Sequence, residues 1–280
     1  MTILVTGARG HIGRAVLESL HAKGLPVRAA SKDPSALTLP AGVEAVALGE
    51  DDTESLTAAL ENVQQVFLYA NPALANAFVT AAEKAGVEHV VLLSSSAVDG
   101  PNAEANPIGA MHVAVEKALA ASSLTTTVLR PGGFDSNALG WVEAVAAGRP
   151  IELPYPEVAL AMIHPLDIAD IAVAALTGDE LRGRTVSLTG PEPISFRAQI
   201  AALSAAIGRE IPVVTVTPEA AREQMARSMP PFIADALLSV WADMDGHPQA
   251  PADTTETLLG VPARTFAQWA RENAAAFAPA

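Results

Sequence analysis

Three glycines, at positions 7, 10 and 13, follow a short apolar run and open a stretch of helical periodicity. Glycine permits a tight turn and close backbone approach to a ligand, and the start of a helix presents unpaired N–H groups to an anion. In this context a G-x-x-G-x-x-G spacing predicts a dinucleotide pyrophosphate site, and a glycine turn without ligand is the alternative. The predicted cofactor-binding residues of this turn are Gly7, Arg9, Gly10, His11, Ile12 and Gly13.

The end of the next apolar run indicates which dinucleotide binds. Sites for NAD(H) usually carry Asp or Glu there, to accept from the ribose 2′-hydroxyl group. This chain instead has Ser31 and Lys32, and Arg9 can reach the same side. Pairing of cations with a 2′-phosphate therefore favours NADP(H) over NAD(H). The alternative is a solvated basic strand end, in which the neighbouring Asp33 reduces the positive charge.

A second group of polar residues has the types needed for proton transfer. His112 and Glu116 are four residues apart and share one face of a predicted helix, so the carboxylate can orient and charge the imidazole. Ser94 and Ser95 close a predicted strand, at the edge where open sheets bind ligands. We predict catalytic roles for His112, Glu116 and Ser95 and a cofactor contact for Ser94. The alternatives are a helix-surface pair and turn-forming serines.

The elements that must position these residues alternate between strands and helices. Such alternation is typical of βαβ units and predicts an α/β protein with a Rossmann-type, doubly wound parallel sheet. Predicted helices include 11–23, 55–60, 73–85 and 111–121. Predicted strands are Thr2–Thr6, Val27–Ala30, Val43–Ala47, Val66–Leu68, His89–Leu93, Thr126–Leu129 and Thr185–Leu188.

The pattern changes after about residue 150, where prolines and then mainly helical segments follow. We expect a dinucleotide-binding domain over residues 1–150, completed by a strand and helix near 160–190. Residues 190–280 are expected to form a small, mainly helical region that covers the substrate. Four side chains are predicted to line an apolar substrate pocket, with burial in the core as the alternative; they are Phe134, Asn137, Trp141 and Tyr155.

Composition excludes several classes of function. With 17 basic and 31 acidic residues the net charge is −14, which repels nucleic acid. The chain has no cysteine, so thiolate catalysis and zinc–sulfur sites are excluded, and no histidine spacing predicts a metal site. No apolar stretch approaches about 18 residues, the minimum for a membrane span. We expect a soluble cytoplasmic protein, monomer or homodimer, with a small apolar substrate and neither membrane nor nucleic-acid partners.

Several segments, in this order and spacing, resemble the NmrA-like group of atypical short-chain dehydrogenases/reductases. This group is similar to bacterial NAD(P)H:quinone oxidoreductases and triphenylmethane reductases. The segments are 7–13, 81–87 leading into 89–96, 112–116, 129–134 with Asn137, 164–169 and 265–269. The resemblance implies that an acid of the turn after the third strand, which is Glu50, Asp51 or Asp52, lies near the adenine, and we predict Asp51. It also implies that Tyr69 and Asn71 border the nicotinamide.

The resemblance also locates a departure in the chemistry. The wider superfamily uses a Tyr-x-x-x-Lys pair, in which the lysine lowers the tyrosine pKa. Neither Tyr69 nor Tyr155 has a lysine four residues later, and His112 and Glu116 take the tyrosine and lysine places. Quinone reduction tolerates this change, because it needs chiefly a placed nicotinamide and a dry site.

The expected function is therefore NADPH-dependent reduction of an apolar quinone-like or carbonyl substrate. Two alternatives stay open. One is a non-catalytic protein that senses NADP(H) and reports to a partner, as the resemblance to NmrA implies. The other is a non-redox isomerase, cyclase or lyase with His112 or Asp135 as acid or base.

Overall fold

A computed structural model describes residues 2–49, 52–100 and 102–278 of the chain. They form two compact units. The first contains the described residues up to Pro131 together with Pro165–Leu188, and the second contains Gly132–His164 together with the residues from Thr189 onward. The predicted boundary at residue 150 thus lies inside the second unit.

The strands occur in both units. In chain order they are β1 (Thr2–Val5), β2 (Val27–Ser31), β3 (Glu44–Ala47), β4 (Val63–Tyr69), β5 (His89–Leu93), β6 (Thr125–Pro131), β7 (Ile151–Leu153), β8 (Ala159–Leu160), β9 (Thr185–Leu188), β10 (Ile194–Ser195) and β11 (Val213–Thr215).

The helices are likewise spread over the chain. They are α1 (His11–Ala22), α2 (Thr53–Ala59), α3 (Ala75–Ala85), α4 (Pro107–Ala120), α5 (Val142–Ala146), α6 (Pro165–Thr177), α7 (Phe196–Ile207), α8 (Pro218–Met225), α9 (Pro231–Met244), α10 (Thr255–Leu259) and α11 (Phe266–Glu272).

The first unit is built on a seven-stranded parallel sheet in the order β3-β2-β1-β4-β5-β6-β9. Helices α1 and α6 pack together and α6 contacts the middle strands, while α2, α3 and α4 contribute to a separate core cluster with strands β1, β4 and β5. The predicted Rossmann-type, doubly wound fold is confirmed. Strand order reverses between β1 and β4, and in such sheets ligands bind beyond the carboxyl ends at this point.

All seven predicted strands belong to this sheet, and in the first unit two boundaries of strands and helices differ from prediction by three or more residues. Strand β4 begins at Val63, three residues before the predicted start. The prediction began too late because Gln64 and Gln65 interrupt the apolar pattern, although Gln65 is buried in the structure. Helix α4 begins at Pro107 rather than Met111. Asn106 caps it by accepting from the next two free N–H groups, and proline suits the first helical position.

The second unit contains two small two-stranded sheets and helices α5 and α7–α11. Strand β11 pairs in parallel with β7, and β10 pairs antiparallel with β8. Helices α7, α8 and α11 are capped by the side chains of Ser195, Thr217 and Thr265, each of which accepts a hydrogen bond from the first turn of its helix. A core around Phe196, Trp269 and other apolar residues holds these helices together.

Candidate nucleotide-binding and catalytic site

The glycine turn between β1 and α1 has the geometry that the sequence predicts. Gly7 adopts φ +65°, and a Cβ atom at Gly13 would lie 2.4 Å from the carbonyl oxygen of Gly7. Gly10 is the N-cap of α1, and among the described residues no side chain caps this helix. The first N–H groups of α1 therefore remain available to an anion.

A cavity of about 440 Å³ lies against this turn within the first unit. Leu48, Leu74 and Phe78 give it apolar walls, and its polar lining comes from the turn and from the ends of β2 and β4. These features fit an extended nucleotide, with phosphates at the glycines. The predicted cofactor residues that line it are Gly7, Arg9, Gly10, Ser31, Lys32, Tyr69 and Asn71.

Three predicted residues of the turn lie outside the lining. The Ile12 side chain and Gly13 are buried, and His11 is exposed. Their backbone N–H groups belong to the first turn of α1, so their predicted part in phosphate binding requires no side chain. Asp51, predicted near the adenine, lies outside the described residues.

The two cationic residues of the cavity, Arg9 and Lys32, are close in sequence or space to Asp33, whose carboxylate is hydrogen-bonded to Ser35. Arg9 and Lys32 are exposed and line the same cavity. The Asp33 carboxylate accepts hydrogen bonds from the Ser35 N–H (3.0 Å) and hydroxyl (2.6 Å). These bonds lower the pKa of Asp33, and Arg9 adds a smaller effect. Asp33 therefore caps its own turn.

Ser31 and the loop after β4 are fixed by local hydrogen bonds. The Ser31 hydroxyl donates to the Asp33 carbonyl oxygen at 3.1 Å. Thr6 Oγ1 accepts from the Tyr69 N–H at 2.7 Å, and the Tyr69 ring packs against Gly7 while 58% of the residue stays exposed. Asn71 accepts from the Ala73 N–H at 3.0 Å. Tyr69 thus lines the cavity as an exposed residue.

The predicted pairing of Glu116 with His112 is wrong. Glu116 binds the Arg130 guanidinium through both carboxylate oxygens, at 3.0 Å to Nε and 2.5 Å to Nη2, and accepts the Ser94 hydroxyl. A guanidinium on the adjacent strand β6 offers two aligned donors, which the imidazole one turn away does not. Ser94 is buried, and its hydroxyl hydrogen is used in the bond to Glu116.

His112 and Ser95 have freer functional atoms. Nδ1 of His112 lies 2.8 Å from the Ile108 carbonyl oxygen, which only an N–H can bond, so Nδ1 carries hydrogen and Nε2 is left for other partners. Ser95 Oγ accepts from the Ala97 N–H at 3.2 Å and keeps its hydrogen to donate. Both residues are partly exposed.

The predicted substrate residues of the second unit divide into two pairs. Trp141 and Tyr155 pack against the core of that unit, and Trp141 meets Phe196 edge-on with ring centres 6.3 Å apart. Phe134 is half-buried, and its backbone bridges to Ile163. Asn137 is exposed. Trp141 and Tyr155 thus contribute to the core of the second unit, whereas Phe134 and Asn137 are more accessible.

Sequence reasoning missed Arg130 and Asp99. Arg130 binds Asp99 as well as Glu116, with Nη1 2.7 Å from Oδ1. The available signal was an arginine at the end of an otherwise apolar strand. Its partners are distant in sequence, so spacing alone does not identify them.

A family model described as NAD(P)H-binding matches residues 7–179, more than half of the chain. The chain belongs to the NAD(P)H-binding family. The predicted binding of a nicotinamide dinucleotide is thereby confirmed. Within the described residues no helix is long and apolar enough to cross a membrane.

Two curated relatives match this NAD(P)H-binding protein over its whole length, and both are named reductases. The (4-alkanoyl-5-oxo-2,5-dihydrofuran-3-yl)methyl phosphate reductase of Streptomyces griseus is 38% identical over 282 residues, with 99% of each chain covered. The NAD(P)H azoreductase of Xenophilus azovorans is 34% identical over 289 residues, covering 99% of this chain and all of its own.

Solved structures agree in fold. The triphenylmethane reductase of Citrobacter sp., complexed with NADP(H), has a TM-score of 0.81 at 21% identity, covering 98% of this chain and 100% of its own. The resemblance seen in the sequence is confirmed for the NAD(P)H-binding family, and the likeness to the triphenylmethane reductase shows that the fold is shared.

Proposed function

We propose that the protein is an NADPH-dependent reductase of apolar compounds with an electron-poor conjugated double bond, including quinone-like and carbonyl compounds. The observation that carries the proposal is whole-length similarity to two reductases in a chain with an intact nucleotide cavity. When bound, NADPH supplies the hydride.

The choice of NADPH over NADH rests on the charges at the cavity. Arg9 and Lys32 both line it, and the neighbouring Asp33 is occupied by Ser35. Two cations, one in the glycine turn and one at the end of β2, suit a 2′-phosphate, because each can form a charge-assisted hydrogen bond with it. A ribose 2′-hydroxyl offers no charge to pair with them.

The substrate class follows from what the relatives' names share. The ring of a 4-alkanoyl-5-oxo-2,5-dihydrofuran has a double bond conjugated to carbonyl groups, and an azo compound has a conjugated N=N bond. Hydride addition to either leaves negative charge on a heteroatom, and one proton completes the reduction. The protein therefore needs a proton donor and a hydrogen-bond donor for that charge.

The first unit offers candidates for both tasks. Nε2 of His112 donates the proton when the ring is protonated, since Nδ1 is held by Ile108. The Ser95 hydroxyl donates to the developing negative charge. The substrate contacts predicted for Phe134 and Asn137 of the second unit stay predictions.

Two measurements with the purified protein test the proposal. Oxidation of NADPH is followed at its absorbance band with a quinone, an azo dye and an acyl-substituted unsaturated lactone, and with NADH as comparison. Calorimetric titration with NADPH, NADP⁺, NADH and NAD⁺ gives the affinities. Tight NADPH binding with turnover of at least one acceptor is expected.

Two results would contradict the proposal. Preferential binding of NADP⁺ without turnover of any acceptor would favour a regulatory sensor. Turnover without net nucleotide oxidation would favour a non-redox enzyme.

A further inference from the structure

Arg130 holds two acidic side chains at the end of strand β6. One belongs to helix α4, where Glu116 receives Nε and Nη2. The other is Asp99, in the connection between β5 and α4, which receives Nη1 at 2.7 Å. One planar guanidinium thus joins the strand, the helix and the connection.

Two serines extend this network to neighbouring strands. Ser94, directly after β5, donates its hydroxyl to Glu116, and Ser187 of β9 donates its hydroxyl to Asp99 at 2.8 Å. The carboxyl ends of three adjacent strands are therefore bonded to one cluster of side chains. Side chains of Arg130 and Glu116 are only 22% and 14% exposed, so solvent screens this pair weakly.

The connection also packs tightly on α4. A Cβ atom at Gly109 would lie 2.3 Å from the Ala103 carbonyl oxygen and 2.9 Å from that of Ala97. Only glycine allows this approach of the two backbones. Displacement of the connection and of the first turn of α4 is therefore coupled.

The network determines where the proposed proton donor lies. Glu116 is bonded to Ser94 at the end of β5, and α4 approaches that point from beyond the carboxyl edge. His112 precedes Glu116 by four residues, one turn or about 6 Å, on the same helix face. It therefore lies beyond the strand end, where ligands of such sheets bind.

We infer that Arg130 is a positioning residue, which fixes His112 and Ser95 at the ligand-binding edge by holding Glu116 and Asp99 together. This inference rests on the proposed reductase function for its kinetic consequence. Its structural content does not depend on that function.

Arg130→Lys tests the inference, because a lysine keeps the charge but lacks the fork that serves two carboxylates. We expect kcat to fall about tenfold to a hundredfold, as misplacement of a reacting group by about 1 Å does. The KM for NADPH should change less than about twofold, because Arg130 does not line the nucleotide cavity.

Arg28→Lys is the matched control. Arg28 likewise binds several acceptors, with Glu44 at 2.7 Å and the carbonyl oxygens of Ala59 and Glu61 at 2.9 and 2.8 Å, but at the amino end of β2. The Arg28→Lys variant should keep the wild-type kcat even if the substitution lowers the stability of the protein. An Arg130→Lys kcat no lower than that of Arg28→Lys would overturn the inference.

A double variant shows whether Arg130 acts through His112. In a His112→Asn background, Arg130→Lys should lower kcat by a smaller factor than it does in the wild type, because one of the two groups that it positions is gone. Losses that multiply would overturn the inference.

Hydrogen exchange separates this inference from the proposed function. Arg130→Lys should speed amide exchange over residues 95–112 relative to the wild type. If the wild type reduces no acceptor, the proposed function fails while this comparison still tests the inference. Unchanged exchange over 95–112 would overturn it.

Discussion

Arg9 and Lys32 are the only two cationic side chains among those that line the nucleotide cavity in the described part of the chain. We predict that Lys32→Glu combined with Arg9→Ala weakens NADPH binding by at least about a hundredfold, since two charge-assisted bonds are worth about 3 kcal/mol or more. NADH binding should change by less than about threefold. Calorimetric titration of both nucleotides measures the difference.

The control for loss of a nearby cation is Arg14→Ala. Arg14 lies on α1, five residues after Arg9, and pairs with Glu18 at 2.8 Å, outside the cavity lining. It should leave both affinities unchanged. Equal weakening of NADPH and NADH in the double variant would contradict the assignment of a 2′-phosphate site.

His112 is the second residue whose atoms suggest an experiment. His112→Asn keeps a side-chain N–H near the position of Nδ1, so the bond to Ile108 can persist, while Nε2 is deleted. We predict a loss of at least about a hundredfold in kcat with a carbonyl acceptor, the usual size of a general acid's contribution. The KM for NADPH should stay within about twofold of the wild type.

His247→Asn, in an exposed loop of the second unit, is the control for this substitution and should be silent. A His112→Asn enzyme with wild-type kcat for every acceptor would remove His112 from the mechanism.

At the scale of elements, two glycines of the turn between β1 and α1 should differ in their roles, one being needed for folding and the other for nucleotide binding. A Cβ at Gly13 would collide with the Gly7 carbonyl oxygen, whereas one at Gly10 would meet its nearest atom at 3.4 Å, an ordinary contact. We predict that Gly13→Ala lowers the melting temperature by several degrees through strain of a few kcal/mol. Gly10→Ala should keep the melting temperature and weaken NADPH binding, because its methyl group enters the phosphate side of the turn.

Thermal melting of both variants with and without NADPH makes the comparison. The expectation fails if Gly10→Ala destabilises the protein without nucleotide as much as Gly13→Ala does, since Gly10 would then be needed for folding and not for binding.

Most elements of the first unit were predictable because each carries a local signal. Strands are short apolar runs between turns, and α3 ends at Gly86 in the left-handed conformation, as expected of a helix stop. The start of α4 was missed although Asn106 and Pro107 are a regular start signal, because the apolar periodicity sets in only later. A capping pair is therefore better evidence for a helix start than periodicity.

The site was less predictable than the fold, because its bonds cross the sequence. Four-residue spacing correctly places His112 and Glu116 on one helix face, but the partner of Glu116 is Arg130, 14 residues away on another strand. Which cation reaches a carboxylate depends on the strand order, and local spacing does not contain that order. The glycine turn was predictable because its function is local.

At the scale of the whole molecule, the aromatic residues serve mainly to build cores. Phe196 of the second unit meets both Trp141 and Trp241 edge-on. For a large aromatic residue with no motif around it in the sequence, burial in a core is therefore a better prediction than contact with the substrate.

Stability of the whole molecule should depend on one buried imidazole. His89 is fully buried at the start of β5, with Nε2 2.9 Å from Thr127 Oγ1. The Thr127 hydroxyl donates to the Leu181 carbonyl oxygen, so it accepts from Nε2–H, and Nδ1 carries no hydrogen. Nδ1 has no hydrogen-bond partner among the described residues. Burial, with a smaller effect of Arg182, lowers the pKa of His89 to about 4, against an opposing effect of Asp179.

A lowered pKa means that the unfolded chain takes up a proton on this side chain below about pH 6.5, and the folded chain only near pH 4. The stabilising contribution is therefore complete above pH 6.5 and is lost as the pH falls towards 4. This contribution amounts to about 2–3 kcal/mol between pH 7.5 and 4.5.

We predict that His89→Gln, whose amide can still donate to Thr127, loses less stability over this pH range than the wild type, by about that amount. Urea unfolding at both pH values measures it, and His247→Gln should follow the wild type, because an exposed histidine binds its proton equally in both states. If His89→Gln and the wild type lose the same stability, the acid sensitivity of the protein arises from its carboxylates and not from the buried imidazole.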